Sequence, residues 1–380
     1  MSDYVVPFNK PFIIGEELAN IAQTVANGMT AGDGPFTKLC HRLMEERFGA
    51  TKVLLTHSCT AALEMSAILA GVGPGDEVIL PSWTFVSTAN AFYLRGAKII
   101  FADIRADTLN MDEKLLAGLI TENTRAIVPV HYAGVACEMD VINELASTND
   151  ILVIEDAAQG VNSRYHGRYL GTIGHMGTYS FHETKNIISG EGGAIVLNDD
   201  RFIERAEIIR EKGTDRSRFF RGEVDKYTWV DVGSSYLPSD MIAAFLHAQL
   251  THMDRISTRR AEIYEHYRTG LAPLADGEHL SIPAPFDNSA APNFGMFYIL
   301  LKNRIERDRI IAHLKARGIQ TVFHYIPLHQ SPVGRSLGYG DGDLPVTEDV
   351  AGRLLRLPFF YELTVDQQNL VIAGISEFLD

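Results

Sequence analysis

Cysteine is scarce in this chain of 380 residues, with Cys40, Cys59 and Cys137 as its three thiols. So few and so widely spaced, they make neither a disulfide framework nor a zinc ligand set, and they fit a reducing compartment. No apolar stretch approaches the roughly 20 residues that span a bilayer. The opening Met1-Ser-Asp-Tyr-Val-Val-Pro7 lacks the basic start and apolar run of an export leader. Together these features predict a cytoplasmic protein with no membrane partner. Basic residues are also short: 34 Lys and Arg stand against 48 Asp and Glu, a net charge of −14. That balance argues against nucleic acid as a partner. No Gly-x-Gly-x-x-Gly joins the first strand to its helix, which sets aside a nicotinamide-dependent Rossmann enzyme.

What remains is ordinary globular material, 46% hydrophobic and 22% charged, long enough for two domains. From Thr51 to Asp199 short apolar strands alternate with helices. Lys52–Thr56 leads to a helix over Thr60–Ala70, and Glu77–Leu80, Lys98–Ala102, Arg125–Val130 and Ile151–Glu155 follow. Gly177–Phe181 and Gly193–Leu197 flank a glycine-rich segment. Continuous apolar strands between helices predict an α/β fold, a mostly parallel mixed sheet covered on both faces. After residue 250 the texture changes. A charged helix near Met253–Leu271, a Pro-rich stretch, a strand near Phe297–Leu301 and helices near Glu306–Arg317 and Val365–Phe378 predict a smaller C-terminal α+β domain. The expected division is 1–250 and 251–380.

In an open α/β sheet ligands bind beyond the carboxyl ends of the strands, and several polar residues fall there. Ser58-Cys59-Thr60 sits between a strand and a helix, where free N–H groups favour a phosphate; a plain helix cap accounts for the same residues. Trp83 follows Glu77–Leu80 and suits either a stack on a planar ring or a place in the core. Asp156 ends its strand as a helix cap, or as a partner that keeps a cationic ring nitrogen protonated. Glu155 beside it is an equal candidate by composition. Most lysines are solvated surface charges, but Lys185 lies between two apolar strands, in Ser180-Phe-His-Glu-Thr-Lys-Asn-Ile-Ile-Ser-Gly-Glu-Gly-Gly193. Desolvated there, its amine would lose basicity and could attack an aldehyde. The glycines Gly190, Gly192 and Gly193 let the backbone pass close to a bound group, or simply make a hairpin turn. Lys212, Arg216, Arg218, Arg221 and Lys226 interleave with Phe219, Phe220, Tyr227 and Trp229. That patch suits a nucleotide diphosphate, or is a solvated basic loop.

In order, Ser58-Cys-Thr60, Trp83, Glu155-Asp-Ala-Ala-Gln159, Ser180-Phe-His-Glu-Thr-Lys-Asn186 and Gly190-Glu-Gly-Gly193 resemble the sugar-nucleotide aminotransferases of the DegT/DnrJ/EryC1/StrS family. Each motif alone is weak, but the ordered set is specific and runs from Pro7-Phe-Asn to Leu357-Pro-Phe-Phe. The resemblance implies a fold-type I transferase dependent on pyridoxal 5′-phosphate (PLP), a homodimer with shared active sites. It implies that Lys185 holds the cofactor as a Schiff base, Asp156 pairs with the pyridine nitrogen and Gln159 meets the phenolic oxygen. Trp83 would stack on the ring, with Thr60, the Ala61 backbone and Ser180 on the phosphate. The family's Gly-x-Asn-x-Arg run, which completes the partner's phosphate cup, stands here as Gly233-Ser-Ser-Tyr-Leu237, with Ser235 at the asparagine position. His324 and His329 match a segment near the sugar, and Lys212 and Arg218 are candidates for the nucleotide.

Three phrases narrow the resemblance: Val130–Asp140, Phe219–Trp229 and Phe323–His329. They imply transfer from L-glutamate to the C4 ketone of dTDP-4-keto-6-deoxy-D-glucose in surface polysaccharide biosynthesis, without a metal. Alternatives are another nucleotide-linked keto sugar, a PLP-dependent sugar dehydratase and a catalytically silent regulator. Related dehydratases carry histidine at the lysine position.

Overall fold

The computed structural model describes residues 4–286 and 290–379; the opening Met1-Ser-Asp3 of the leader reading lies outside them. In chain order the strands are β1 (Lys52–Thr56), β2 (Glu77–Pro81), β3 (Lys98–Ala102), β4 (Thr124–Ile127), β5 (Leu152–Asp156), β6 (Arg164–Tyr165), β7 (Arg168–Tyr169), β8 (Met176–Ser180), β9 (Gly193–Leu197), β10 (Ala290–Ala291), β11 (Tyr298–Leu300) and β12 (Leu354–Arg356). A seven-stranded sheet runs in the order β1-β9-β8-β5-β4-β2-β3. Only β9 opposes the rest, pairing antiparallel with both β1 and β8.

Alternation along these strands explains the layers. Val53, Leu55, Ile79, Val153, Ala194 and Val196 point into one apolar cluster. Their neighbours Leu54, Val78, Leu80, Ile154, Ile195 and Leu197 point into another. Both faces are therefore buried, which is why the strands read as unbroken apolar runs. The expected strands at Lys52–Thr56, Lys98–Ala102 and Gly193–Leu197 coincide with β1, β3 and β9. The run expected through Val130 stops at Ile127: Pro129 has no N–H to donate, and Val130 makes only an isolated bridge to Asp156.

A third cluster joins Ile263, Tyr267, Phe297, Ile299, Leu314, Leu355 and Ile375, and Val6 of the N-terminal segment packs into it. Its antiparallel pair β11–β12 sets Arg356 opposite Tyr298. The helix expected to end near Leu271 continues to Asp276. Among the described residues no helix is long and apolar enough to cross a membrane.

The sheet sense puts the ends of β1, β2, β5 and β8 on one edge, together with the start of β9. Gly193 is required there: a β-carbon on it would stand 2.4 Å from the Cys59 nitrogen and the Ser58 carbonyl carbon. Its absence lets the helix after β1, Cys59–Leu69, start against the sheet edge.

Candidate active site

A cavity of about 490 Å³ opens at that edge, walled by residues from both the sheet ends and the β11–β12 region. Thr60, Asp156, Gln159, Ser180, Lys185 and His324 all line it.

Ser58 caps the helix Cys59–Leu69, its Oγ accepting from the Ala61 N–H at 3.1 Å. The cap thus occupies the backbone donor expected to bind a phosphate, and Ala61 is not on the cavity wall. Thr60 does face the cavity, with its hydroxyl 2.8 Å from that of Ser87.

The two carboxylates at the end of β5 separate cleanly. Glu155 is fully buried, and its oxygens accept from the N–H groups of Gly171, Ile173 and Gly174 and meet His131 Nε2 at 2.9 Å. It is a scaffold carboxylate with no lone pair to spare for a ligand. Asp156 instead borders the cavity; Oδ2 accepts from Thr88 at 2.7 Å and Oδ1 from the Ala158 N–H at 3.1 Å. The Thr88 hydroxyl hydrogen being used, Thr84 donates to Thr88 at 2.8 Å.

Lys185 lies on the segment between β8 and β9. That segment is pinned by Phe181 N–H to Gly192 (2.9 Å), Glu183 N–H to Gly190 (2.8 Å) and Ser189 N–H to Phe181 (2.7 Å). Among the described residues the Lys185 ammonium has no ion pair. Burial pulls its pKa down, Arg356 adds to the fall, and Cys59 and Asp156 oppose it. The Cys59 thiol is itself pushed up by burial, and so stays protonated and inert.

Gln159 is already engaged, Oε1 with the Ala133 N–H at 2.8 Å and Nε2 with the Tyr325 hydroxyl at 3.0 Å. His324 stacks on Tyr325 with centroids 3.6 Å apart, and its Nδ1 lies 2.7 Å from the Tyr132 hydroxyl. Burial, then Arg356 and Lys185, hold its pKa far below the ordinary value, so the ring is neutral.

The other expected contacts fall elsewhere. His329 is fully buried off the cavity, Nδ1 on Ser82 Oγ (2.7 Å) and Nε2 on Glu348 (3.1 Å), so it is a structural histidine rather than a sugar contact. Trp83 is 1% exposed and lies behind the wall, edge-on to Tyr325 at 5.5 Å and to His324 at 6.0 Å. Four of the patch's five basic residues are charge-compensated: Lys212 and Arg216 pair with Glu211, Arg218 with Glu204 and Glu223, and Arg221 with Glu207 and Glu223. Neither Lys212 nor Arg218 lines the cavity of a single chain, and Ser235, solvent-exposed, does not either. Sequence reasoning missed Thr88, Tyr132, Tyr325 and Arg356. Of these only Arg356 carried a local signal, a charge inside the apolar run Leu354-Leu-Arg-Leu357.

A model of the DegT/DnrJ/EryC1/StrS aminotransferase family matches residues 11–376. The chain belongs to that family. It is 37% identical to the pleiotropic regulatory protein of Geobacillus stearothermophilus over 83% of this chain and 82% of that one. It is 31% identical to the spore coat polysaccharide biosynthesis protein SpsC of Bacillus subtilis, over 99% and 98% of the two chains. The PLP-form of Spr1654 from Streptococcus pneumoniae superposes with a TM-score of 0.91 at 26% identity, covering 99% of each chain. The family is one of aminotransferases with a solved member in a PLP form, and this enzyme is a sugar aminotransferase dependent on PLP. The cavity has the donor set that cofactor needs: an amine free of any ion pair, a carboxylate fixed by hydroxyl and N–H donors, and hydroxyls beside a helix start.

Proposed function

We propose that the enzyme moves the amino group of L-glutamate to the C4 ketone of dTDP-4-keto-6-deoxy-D-glucose, giving dTDP-4-amino-4,6-dideoxy-D-galactose and 2-oxoglutarate. Amino transfer rests above all on one observation, that Lys185 and Asp156 share a cavity in which Lys185 forms no ion pair among the described residues. The sugar rests on the phrases Val130–Asp140, Phe219–Trp229 and Phe323–His329.

PLP, when bound, supplies the electron sink for carbanion chemistry. Lys185 Nζ anchors its aldehyde, and the desolvated site keeps a larger fraction of that amine neutral and nucleophilic. Lys185 Nζ would also hold and move the proton of the donor's α-carbon. Asp156 would hold a proton on the ring nitrogen, and the Thr84–Thr88 hydroxyl chain keeps its carboxylate aimed. Thr60 and Ser180 hold the phosphate, Gln159 faces the phenolic oxygen, and neutral His324 donates a hydrogen bond to the sugar. In this reading the protein is a cytoplasmic homodimer with a large domain over 1–250 and a small one over 251–380. Ser235 completes the partner's phosphate cup, and the product feeds a surface polysaccharide.

The test is incubation of the holoenzyme with L-glutamate and dTDP-4-keto-6-deoxy-D-glucose, with 2-oxoglutarate quantified and the product's C4 configuration read by NMR. A galacto amine supports the proposal. A gluco amine would leave the amino transfer and refute the product; no 2-oxoglutarate with this or related keto sugars would refute the transfer itself.

A further inference from the structure

Arg356, half-buried in the cavity wall, stands apart from the buried arginines. Arg210 is held by Asp33 and the Leu55 carbonyl, Arg260 by the carbonyls of Phe294 and Gly295, and Arg307 by Asp308 and the carbonyl of Ala351. The Arg356 guanidinium makes no side-chain hydrogen bond and no ion pair among the described residues, and its Nε is buried without a partner. A partly buried charge in that condition costs folding free energy that no hydrogen bond or ion pair among the described residues offsets. It is nevertheless fixed in place. Its backbone is locked by β12 and by exchange with Val322 (2.8 Å), and its guanidinium lies over the Phe8 ring at 4.7 Å. It lines the same cavity as Lys185, and its electrostatic neighbours are the hydroxyls of Tyr132 and Tyr325, both donors when neutral.

We propose that Arg356 docks a carboxylate of the amino donor, placing the donor's amine at Lys185. The proposal rests on the aminotransferase reading above. A planar guanidinium matches a carboxylate through two parallel hydrogen bonds. An amino-acid donor must bring at least one carboxylate into the cavity, and Arg356 is the cation there besides Lys185 and is not neutralised by the protein. Of the wall's two carboxylates, Asp156 and Glu191, Asp156 is committed to Thr88 and Ala158 and neither pairs with Arg356 among the described residues. With Lys185 given to the cofactor, a donor carboxylate would find Arg356 as the uncompensated cation in the wall.

The experiment separates the two half-reactions in holoenzyme carrying Arg356→Met, which keeps the apolar stem, or Arg356→Lys, which restores the charge. Glutarate, a dicarboxylate with no amine to react, serves as the binding probe by calorimetry, and thymidine diphosphate as the nucleotide probe. The Met variant should weaken glutarate binding on the order of 100-fold and raise the L-glutamate KM similarly, with the Lys variant partly restoring both. Thymidine diphosphate affinity, cofactor retention and the second half-reaction should hold. Thermal stability should hold or rise, because an unpaired, partly buried charge is lost. Unchanged glutarate binding would overturn the proposal. So would a loss confined to thymidine diphosphate, or to the cofactor, since either would assign Arg356 to a phosphate. A large drop in stability would make it structural. Should the unaltered enzyme convert no amino acid, the aminotransferase reading fails first, and glutarate affinity still reports on Arg356.

Discussion

Thr88 donates its hydroxyl to Asp156 Oδ2 across 2.7 Å, and both side chains are buried. The contact ties the helix Val86–Tyr93 to the end of β5 and aims one carboxylate into the cavity, while Glu155, one residue earlier, is consumed by the scaffold.

The pair yields a ranked prediction. Asp156→Asn removes the charge that keeps a ring nitrogen protonated, so kcat should fall on the order of 100-fold. Thr88→Val removes a single hydrogen bond to that charge and leaves the charge itself, at a cost of about 1.5 kcal/mol, and kcat should fall less, roughly tenfold. Single-turnover rates with L-glutamate check the order; an equal or larger effect of Thr88→Val would contradict it.

Gly193→Ala should be destabilising by at least about 2 kcal/mol, because the new β-carbon meets backbone at 2.4 Å rather than a side chain that can swing away. Denaturant melts of the cofactor-free protein measure it. Gly190→Ala, with nothing within 4 Å but a φ of +80°, should cost only the smaller backbone strain.

The two histidines of one segment should part company. His329→Ala leaves Ser82 and Glu348 without their partner, and should cost about 1–3 kcal/mol of stability with little change in sugar KM. His324→Ala should raise the sugar KM at nearly unchanged stability. Melting curves and steady-state kinetics on both variants distinguish them.

Stability should also weaken in mild acid. His41 Nε2 accepts the Leu55 N–H at 2.9 Å and His175 Nδ1 accepts the Val153 N–H at 3.0 Å. Burial lowers both pKa values below the ordinary 6.5, and for His41 the charges of Arg210 and Lys52 add to the fall. Unfolded, each takes up a proton near 6.5; folded, it resists. Their contribution is therefore complete above pH 6.5 and declines as pH falls towards the folded values, by up to about 1.4 kcal/mol per pH unit for each. Melts at pH 8, 6 and 5 test this, and His41→Gln, which keeps an acceptor but does not titrate, should flatten the slope.

Much of the sheet was legible because burial on both faces leaves continuous apolar strands between turn residues. Lys185 was legible less from its own glycine-rich segment than from the ordered company of Thr60, Trp83, Asp156, Gln159 and Ser180. The choice between Asp156 and Glu155 was not, since it depends on where the Gly171–Gly174 amides fold back. Nor could the sequence separate His324 from His329, whose partners Tyr132 and Ser82 lie far away along the chain. The basic patch read as either a nucleotide contact or a solvated loop, and its pairing glutamates, Glu204, Glu207 and Glu211, lie just upstream in the sequence.

The account turns on one amine. Borohydride reduction of the PLP-loaded protein, followed by peptide mass spectrometry, should place the pyridoxyl mass on Lys185, and Lys185→Ala should take up none while retaining its fold. A label on another lysine, or an undiminished one in Lys185→Ala, would contradict it.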